Sequence, residues 1–301
     1  MIVRSLFRAT DRFLLSRLRT RGYRSENIAT RTGSIHLLRA KGEGIHPPVV
    51  VLHGLAAASH FYENVFDPMR PLVRSVVAPD LPGHGASPLP AHGPSSDLTE
   101  SVAEALSKVL EEPAIFVGNS LGGAVSIRIA LTHPELVRAL FLIAPGGAPM
   151  DEAARKRFLD RFALRSHGEA LAFVDDLFVE KHPQRQLIAW GTRHRFASAN
   201  VRALIRRVED ESFLTVEELT RLTMPVHVLW GGADRVLLPQ HETFFRNHLP
   251  PHATMETVAH FGHTPQIDHP RELQQRIQRF IVDLPRAHAR TQSQGDARPS
   301  R

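Results

Sequence analysis

Short apolar runs alternate along the chain with stretches in which apolar residues recur every three or four positions. The runs predict strands at 34–40, 49–52, 75–78, 115–117, 140–143, 226–230 and 254–258. PPVVVLHG and MPVHVLWGG are apolar without alternation, as expected of central parallel strands covered by helices on both faces. An α/β sheet is the expected framework. From about Gly147 to Thr223 the rhythm breaks into successive helical segments: DEAARKRFLDRFAL, GEALAFVDDLF, PQRQLIAWGTRHRF and NVRALIRRV. In the last, Val201, Leu204, Ile205 and Val208 share one face and Arg202 and Arg206 another. A helical insertion between two core strands reads as a lid.

The two ends differ from this body. MIVRSLFRATDRFLLSRLRTRGYR places Arg4, Arg8 and Arg12 four residues apart, with Val3, Leu6, Phe7, Phe13, Leu14 and Leu18 nearer the opposite face. This predicts an amphipathic helix, and two roles are open for it: lying on an anionic membrane surface, or packing on the domain. From Pro285 the chain lacks large apolar residues, which predicts a disordered tail. The expected organisation is an N-terminal helix over 1–24, a core over 25–146 and 224–284, a helical cap over 147–223 and a tail over 285–301.

Composition narrows the class. The 301 residues are 42% hydrophobic and 23% charged, enough for a large core. No apolar run is long enough to span a bilayer. The absence of cysteine removes disulfides and thiolate chemistry together. A formal charge of +6 raises the question of nucleic acid, but the cations are spread among acids and no zinc-finger or RNP pattern accompanies them. A cytoplasmic protein without a nucleic-acid partner is expected, with peripheral membrane contact through the N-terminal helix as an option.

Candidate chemistry begins at AIFVGNSLGGAVS. Gly118-Asn119-Ser120-Leu121-Gly122 fits G-x-S-x-G between a strand pattern and a helix pattern, where a tight turn lifts a serine hydroxyl above the sheet. A serine hydroxyl is a poor nucleophile at neutral pH, so it needs a base, an orienting acid and donors for an oxyanion. His263 follows the last predicted strand and Asp234 the strand before it, in the order Ser, Asp, His. His260 is the nearest competitor for the base. Ala144–Met150 offers no carboxylate as an alternative acid. His53-Gly54-Leu55 follows the strand PVVVL, so the N–H groups of Leu55 and Leu121 are the expected oxyanion donors and His53 is expected to be structural.

HG at 53–54, DLPGHGAS at 80–87, GNSLGG at 118–123, WGGAD at 230–234 and GHTPQIDHP at 262–270 together resemble the α/β-hydrolase superfamily. The resemblance covers about 28–146 and 224–284. It implies an eight-stranded, mostly parallel sheet flanked by helices, with a helical cap over a serine active site. The basic N-terminal helix and the cap layout are similar to monoacylglycerol lipase-like members. Serine at 120, where haloalkane dehalogenases and epoxide hydrolases carry aspartate, argues against alkyl-enzyme chemistry. The C–C bond hydrolases of ring-cleavage products also show G-N-S, but their usual Gly-Pro-Gly after His-Gly is here Ala56-Ala57-Ala58-Ser59.

The expected activity is hydrolysis of small or lipid-type carboxylic esters through an acyl-enzyme on Ser120, requiring no metal or organic cofactor. Two alternatives stand beside it: a C–C bond hydrolase, with cap arginines such as Arg193 and Arg195 available for a substrate carboxylate, and a hydrolase-fold protein that binds ligands without turnover. Phe158, Phe162, Phe173, Phe178 and Trp190 suggest that the cap encloses an apolar cavity.

Overall fold

The computed structural model describes residues 2–90, 95–207 and 213–285, with side chains from residue 9 onward in the first helix and from 98 onward in the helix at 95–107. Eight strands form one sheet: β1 (Arg24–Thr30), β2 (Gly33–Lys41), β3 (Val49–Leu52), β4 (Ser75–Pro79), β5 (Ala114–Asn119), β6 (Val137–Ile143), β7 (Val226–Gly231) and β8 (Thr254–Val258). Their order across the sheet is β1-β2-β4-β3-β5-β6-β7-β8. β2 pairs antiparallel with both neighbours and the remaining pairs are parallel. Seven strands coincide with the apolar runs. The eighth, β1, has the polar sequence RSENIAT at the sheet edge with no fully buried residue, so no hydrophobic period marked it.

The lack of alternation in the central strands follows from their position. Val50, Leu52, Phe116, Leu140, Leu142 and Val228 enter one buried cluster, while Val49, Val51, Ile115, Val117, Phe141 and Leu229 enter another. Successive side chains point to opposite faces, and both faces are covered. Helix α1 (Ile2–Thr20) and α2 (Glu63–Phe66) send Leu18 and Phe66 into the second layer; α3 (Ser95–Ser107) and α4 (Leu121–Thr132) send Leu106 and Ile127 into the first.

Between β6 and β7 lie α5 (Glu152–Asp160), α6 (His167–Leu177), α7 (Arg185–Phe196), α8 (Ala199–Arg206) and α9 (Val216–Thr220). Asp151, Ser166, Ser198 and Thr215 cap the N-termini of α5, α6, α8 and α9, each accepting a backbone N–H three residues on. Phe162, Phe173, Phe178, Phe196 and Val201 form a cluster of their own, joined by Ala56 and Val236 from the sheet loops. α10 (Pro239–His248) follows β7; α11 (Pro265–Asp268) and α12 (Pro270–Asp283) follow β8, and Leu273, Ile277 and Ile281 of α12 are fully buried. Val208, expected on the apolar face of the fourth insertion segment, and the tail from 286 lie outside the described residues.

The C-terminal half of α1 packs on the domain. Leu18 is fully buried, and the half-exposed Arg17 and Arg21 both pair with the buried Glu63 of α2; Arg21 also reaches Asp67, at 3.0 Å. Phe13, which a role in packing alone would bury, remains 66% exposed, and the side chain of Phe7 lies outside the described part. No helix among the described residues is long and apolar enough to cross a membrane.

Candidate active site

Ser120 occupies the turn between β5 and α4 with φ 54° and ψ −115°, a left-handed conformation that a non-glycine residue holds only under constraint. The flanking glycines explain how the turn closes. A Cβ on Gly122 would stand 2.1 Å from the Leu52 carbonyl oxygen of β3, and one on Gly118 would stand 2.5 Å from the Gly122 carbonyl oxygen. Helix α4 therefore starts in contact with the strand ends.

His263 and Asp234, from the loops after β8 and β7, meet beside this turn. The His263 Nδ1–H donates to Asp234 Oδ2 at 2.7 Å, with both side chains almost fully buried. Asp234 Oδ1 accepts the N–H groups of Val236 (2.8 Å) and Leu237 (3.1 Å). Burial alone would raise the Asp234 carboxyl, but the His263 ring and the two backbone donors outweigh it and hold it below the ordinary carboxylate range. His260 lies elsewhere: it is half-exposed and bonds Glu272 at 2.8 Å.

The N–H groups of Leu55 and Leu121 donate to no other group among the described residues. Leu55 follows β3, Leu121 opens α4, and both residues line the cavity that Ser120 and His263 share. His53 is structural, as expected. It is fully buried, its Nδ1–H donates to the Gly54 carbonyl (2.8 Å), and its Nε2 accepts the Leu81 N–H (3.0 Å).

The cavity measures about 750 Å³ and its walls are chiefly apolar. Phe158, Phe162, Phe173 and Phe178 line it, together with Phe196; Trp190 does not and is 49% exposed. Two arginines line it, and each is held by a carboxylate: Arg195 by Asp11 of α1 at 2.9 Å, Arg128 by Glu218. Arg193 is not in the wall and donates to the Arg165 carbonyl.

Several contributors carried no sequence signal. Thr10 and Asp11 bring α1 to the cavity wall, Tyr62 enters from a single 3-10 turn, and His241 arrives on α10. Burial pushes the His241 imidazole below its ordinary range. DLPGHGAS proves to be a structural hub. Asp80 Oδ2 accepts His36 Nδ1–H (2.8 Å) and the Ala86 N–H (2.9 Å), and its Oδ1 accepts the Ser59 N–H (2.7 Å). Outside the cavity, His260, His269 and Glu272 bring three potential ligand atoms within 4.8 Å of one another, but both Glu272 oxygens are already engaged, one by His260 and one by Arg276, each at 2.8 Å.

Residues 49–275 match the model of the alpha/beta hydrolase family. The chain belongs to that family. Among curated relatives it is similar to 2-hydroxymuconate semialdehyde hydrolase of Pseudomonas putida, 27% identical over 84% of this chain and 92% of that one. It is also similar to the pimeloyl-[acyl-carrier protein] methyl ester esterase of Nitrosomonas europaea, 28% identical over 79% of this chain and 96% of that one. Across the curated relatives it matches, the chain spans from 61% to 96% of their length. Among solved structures, a membrane phospholipase A that is a bacterial virulence factor superposes with a TM-score of 0.75 at 25% identity, covering 93% of this chain and 94% of that one. This family hydrolase therefore has both esterase and other hydrolase relatives.

Proposed function

We propose that this hydrolase cleaves carboxylic esters with Ser120 as nucleophile, His263 as general base and Asp234 as the acid that orients the ring. The observation that carries the reading is the strained Ser120 turn opening on the same cavity as a histidine whose Nδ1–H is committed to a buried carboxylate. With Nδ1 protonated, the neutral ring keeps its lone pair on Nε2, the atom that must take the serine proton. Ser120 Oγ then adds to the ester carbonyl, the Leu55 and Leu121 N–H groups receive the oxyanion, and the His263 imidazolium protonates the leaving alcohol. Water repeats the sequence on the acyl-enzyme.

The phenylalanine-lined wall suits an aliphatic or aromatic acyl group. A methyl ester esterase and a phospholipase A among the similar proteins fit the same chemistry. The similar 2-hydroxymuconate semialdehyde hydrolase keeps the C–C bond reading in view. Against it stands the engagement of both cavity arginines by Asp11 and Glu218, which leaves a substrate carboxylate to compete with an existing pair. A ligand-binding protein without turnover has no use for a desolvated His263–Asp234 pair.

The test is labelling with a fluorophosphonate followed by mapping of the adduct, beside hydrolysis of p-nitrophenyl esters of increasing chain length. Ser120 should carry the adduct, and Ser120→Ala should lose at least about three orders of magnitude in kcat while keeping its fold. Full activity in Ser120→Ala ends the reading. Turnover of a ring-cleavage dienoate with negligible ester hydrolysis would transfer it to the C–C reaction.

A further inference from the structure

A buried polar network joins the three loops that carry the reacting groups. Its centre is the Tyr62 hydroxyl, which accepts the Gly54 N–H at 3.1 Å and Gln266 Nε2–H at 3.2 Å and donates to Asn119 Oδ1 at 2.7 Å. One donor and two acceptor sites are what a phenol has, so the hydroxyl is saturated. The Asn119 amide donates in turn to the carbonyls of Ile143 (3.0 Å) and His263 (3.3 Å). These two acceptors fix which end of the amide faces Tyr62. Tyr62, Asn119 and Gln266 are each under 5% exposed.

Each contact falls next to a reacting group. Gly54 precedes Leu55, Asn119 precedes Ser120, and the carbonyl accepting from Asn119 belongs to His263 itself. The approach is close as well: a Cβ on Gly54 would lie 3.4 Å from Asn119 Oδ1 and 3.5 Å from Ser120 Cβ. Burial pushes the Tyr62 phenol far above neutral pH, so its hydroxyl stays protonated and its donation to Asn119 is constant.

We propose that Tyr62, bonded to the Gly54 N–H on one side and to Asn119 and Gln266 on the other, is a positioning residue that sets the oxyanion-binding Leu55 N–H at its working distance from Ser120. The inference rests on the ester-hydrolase reading of Ser120. It explains why the loop after β3, whose Leu55 N–H donates to no group among the described residues, can still hold that donor in place: the neighbouring Gly54 N–H is tied through the Tyr62 hydroxyl to the residue before the nucleophile. Preorganised donors stabilise charge that develops in the transition state, and misplacement of a reacting group by about 1 Å costs on the order of 100-fold.

The test is Tyr62→Phe, which keeps the ring and removes the hydroxyl, leaving the Gly54 N–H, Gln266 Nε2 and Asn119 Oδ1 without their shared partner. Active sites are titrated with a fluorophosphonate, so that rates are expressed per competent site. The expected result is a fall in kcat of about 10- to 100-fold with KM within about threefold of wild type. Affinity for a trifluoromethyl ketone, whose adduct with Ser120 carries the oxyanion, should fall by the same factor as kcat/KM, while affinity for an unreactive ether analogue should not change. A merely structural hydroxyl would lower the melting temperature and the number of competent sites and leave kcat per site and ketone affinity alone; that result overturns the proposal. Should Tyr62→Phe fail to fold, Gln266→Leu removes one donor to the same hydroxyl, and the longer 3.4 Å bond to Asn119 Oδ1, and is read identically, with an expected loss of about three- to tenfold. A wild type that takes up no fluorophosphonate at Ser120 overturns the ester reading and this inference with it, whereas a labelled wild type with an unaltered Tyr62→Phe overturns this inference alone.

Discussion

Asp234→Asn separates orientation of the base from folding. The substitution is nearly isosteric, and the side-chain oxygen can keep both bonds from Val236 and Leu237, at 2.8 and 3.1 Å. The amide nitrogen then replaces Oδ2, which accepts His263 Nδ1–H at 2.7 Å. Two N–H donors cannot face each other at that distance. The imidazole must move its proton to Nε2, and a protonated Nε2 cannot receive the Ser120 proton. The expected loss in kcat is about 10³- to 10⁴-fold, or roughly 4–5.5 kcal/mol in the barrier. Stability should move much less, because a lost charge-assisted hydrogen bond, about 1.5–3 kcal/mol, is offset by no longer burying a carboxylate. In linkage terms, the folded Asp234 carboxyl is depressed, so it contributes stability above the unfolded carboxylate range that is lost as pH falls through the folded value. Asp234→Asn should remove that part of the acid limb. The assay is steady-state hydrolysis of a soluble p-nitrophenyl ester from pH 6 to 9 beside thermal melts at pH 7 and pH 3. Activity within tenfold of wild type, or a loss that tracks a collapse in melting temperature, refutes the reasoning.

Three further outcomes follow from other parts of the fold. His53, His84, His227 and His241 are held below the free imidazole by burial, His84 at about 3, whereas at part-buried His133 the lowering by burial, the largest single effect, is outweighed by Glu100 and Glu135 together, which hold it above. The unfolded chain therefore takes up more protons at these buried sites than the native one below about pH 6.5, His84 alone costing roughly 1.4 kcal/mol per pH unit until its own value is approached; denaturant melts should show stability falling from pH 6.5 to 4, and a flat profile contradicts this. Gly122→Ala should yield little folded protein by circular dichroism, since its Cβ would stand 2.1 Å from the Leu52 carbonyl oxygen, and a near-native melting temperature would show that α4 can retreat from β3. Phe13→Glu should leave the melting temperature unchanged, because Phe13 is 66% exposed, yet reduce co-sedimentation with anionic liposomes at low salt; equal sedimentation of the two proteins assigns α1 to packing alone.

The parts of the fold that buried both faces of a strand, or needed a glycine, were legible. Val49–Leu52 and Val226–Gly231 read as central strands from their unbroken apolar runs, and Gly118 and Gly122 marked a turn where strand and helix touch. β1 was not legible because an edge strand with polar residues on both faces leaves no period to read. Among the candidate site residues, Ser120, Asp234 and His263 announced themselves by following strands in order. Tyr62, Gln266 and Asp11 did not. Their roles depend on what the fold sets opposite them, and a lone tyrosine in SHFYENVF carries no trace of Gly54 or Asn119. In α1, Leu18 is buried and Phe13 exposed only five residues apart, a division along the helix that its period did not mark.

The division of labour between sheet and insertion explains why one set of motifs was readable and substrate choice was not. Leu55, Ser120, Asp234 and His263 all stand just beyond the C-terminal ends of parallel strands, and the pairing of β3 with β5, β5 with β6, β6 with β7 and β7 with β8 brings those ends side by side. Strand register fixes their spacing, so their order in sequence is enough to expect them together. The cavity wall has no such frame. Phe162, Phe173 and Phe196 come from the loop after α5, from α6 and from α7, and they meet through ring packing, with Phe162 and Phe196 stacked at 5.7 Å and Phe173 edge-on to both. Ring packing accepts exchange among apolar residues of similar volume, whereas a register or a left-handed serine does not. Substitutions in the phenylalanine cluster should therefore redistribute chain-length preference, and substitutions at the strand ends should change kcat for every ester alike.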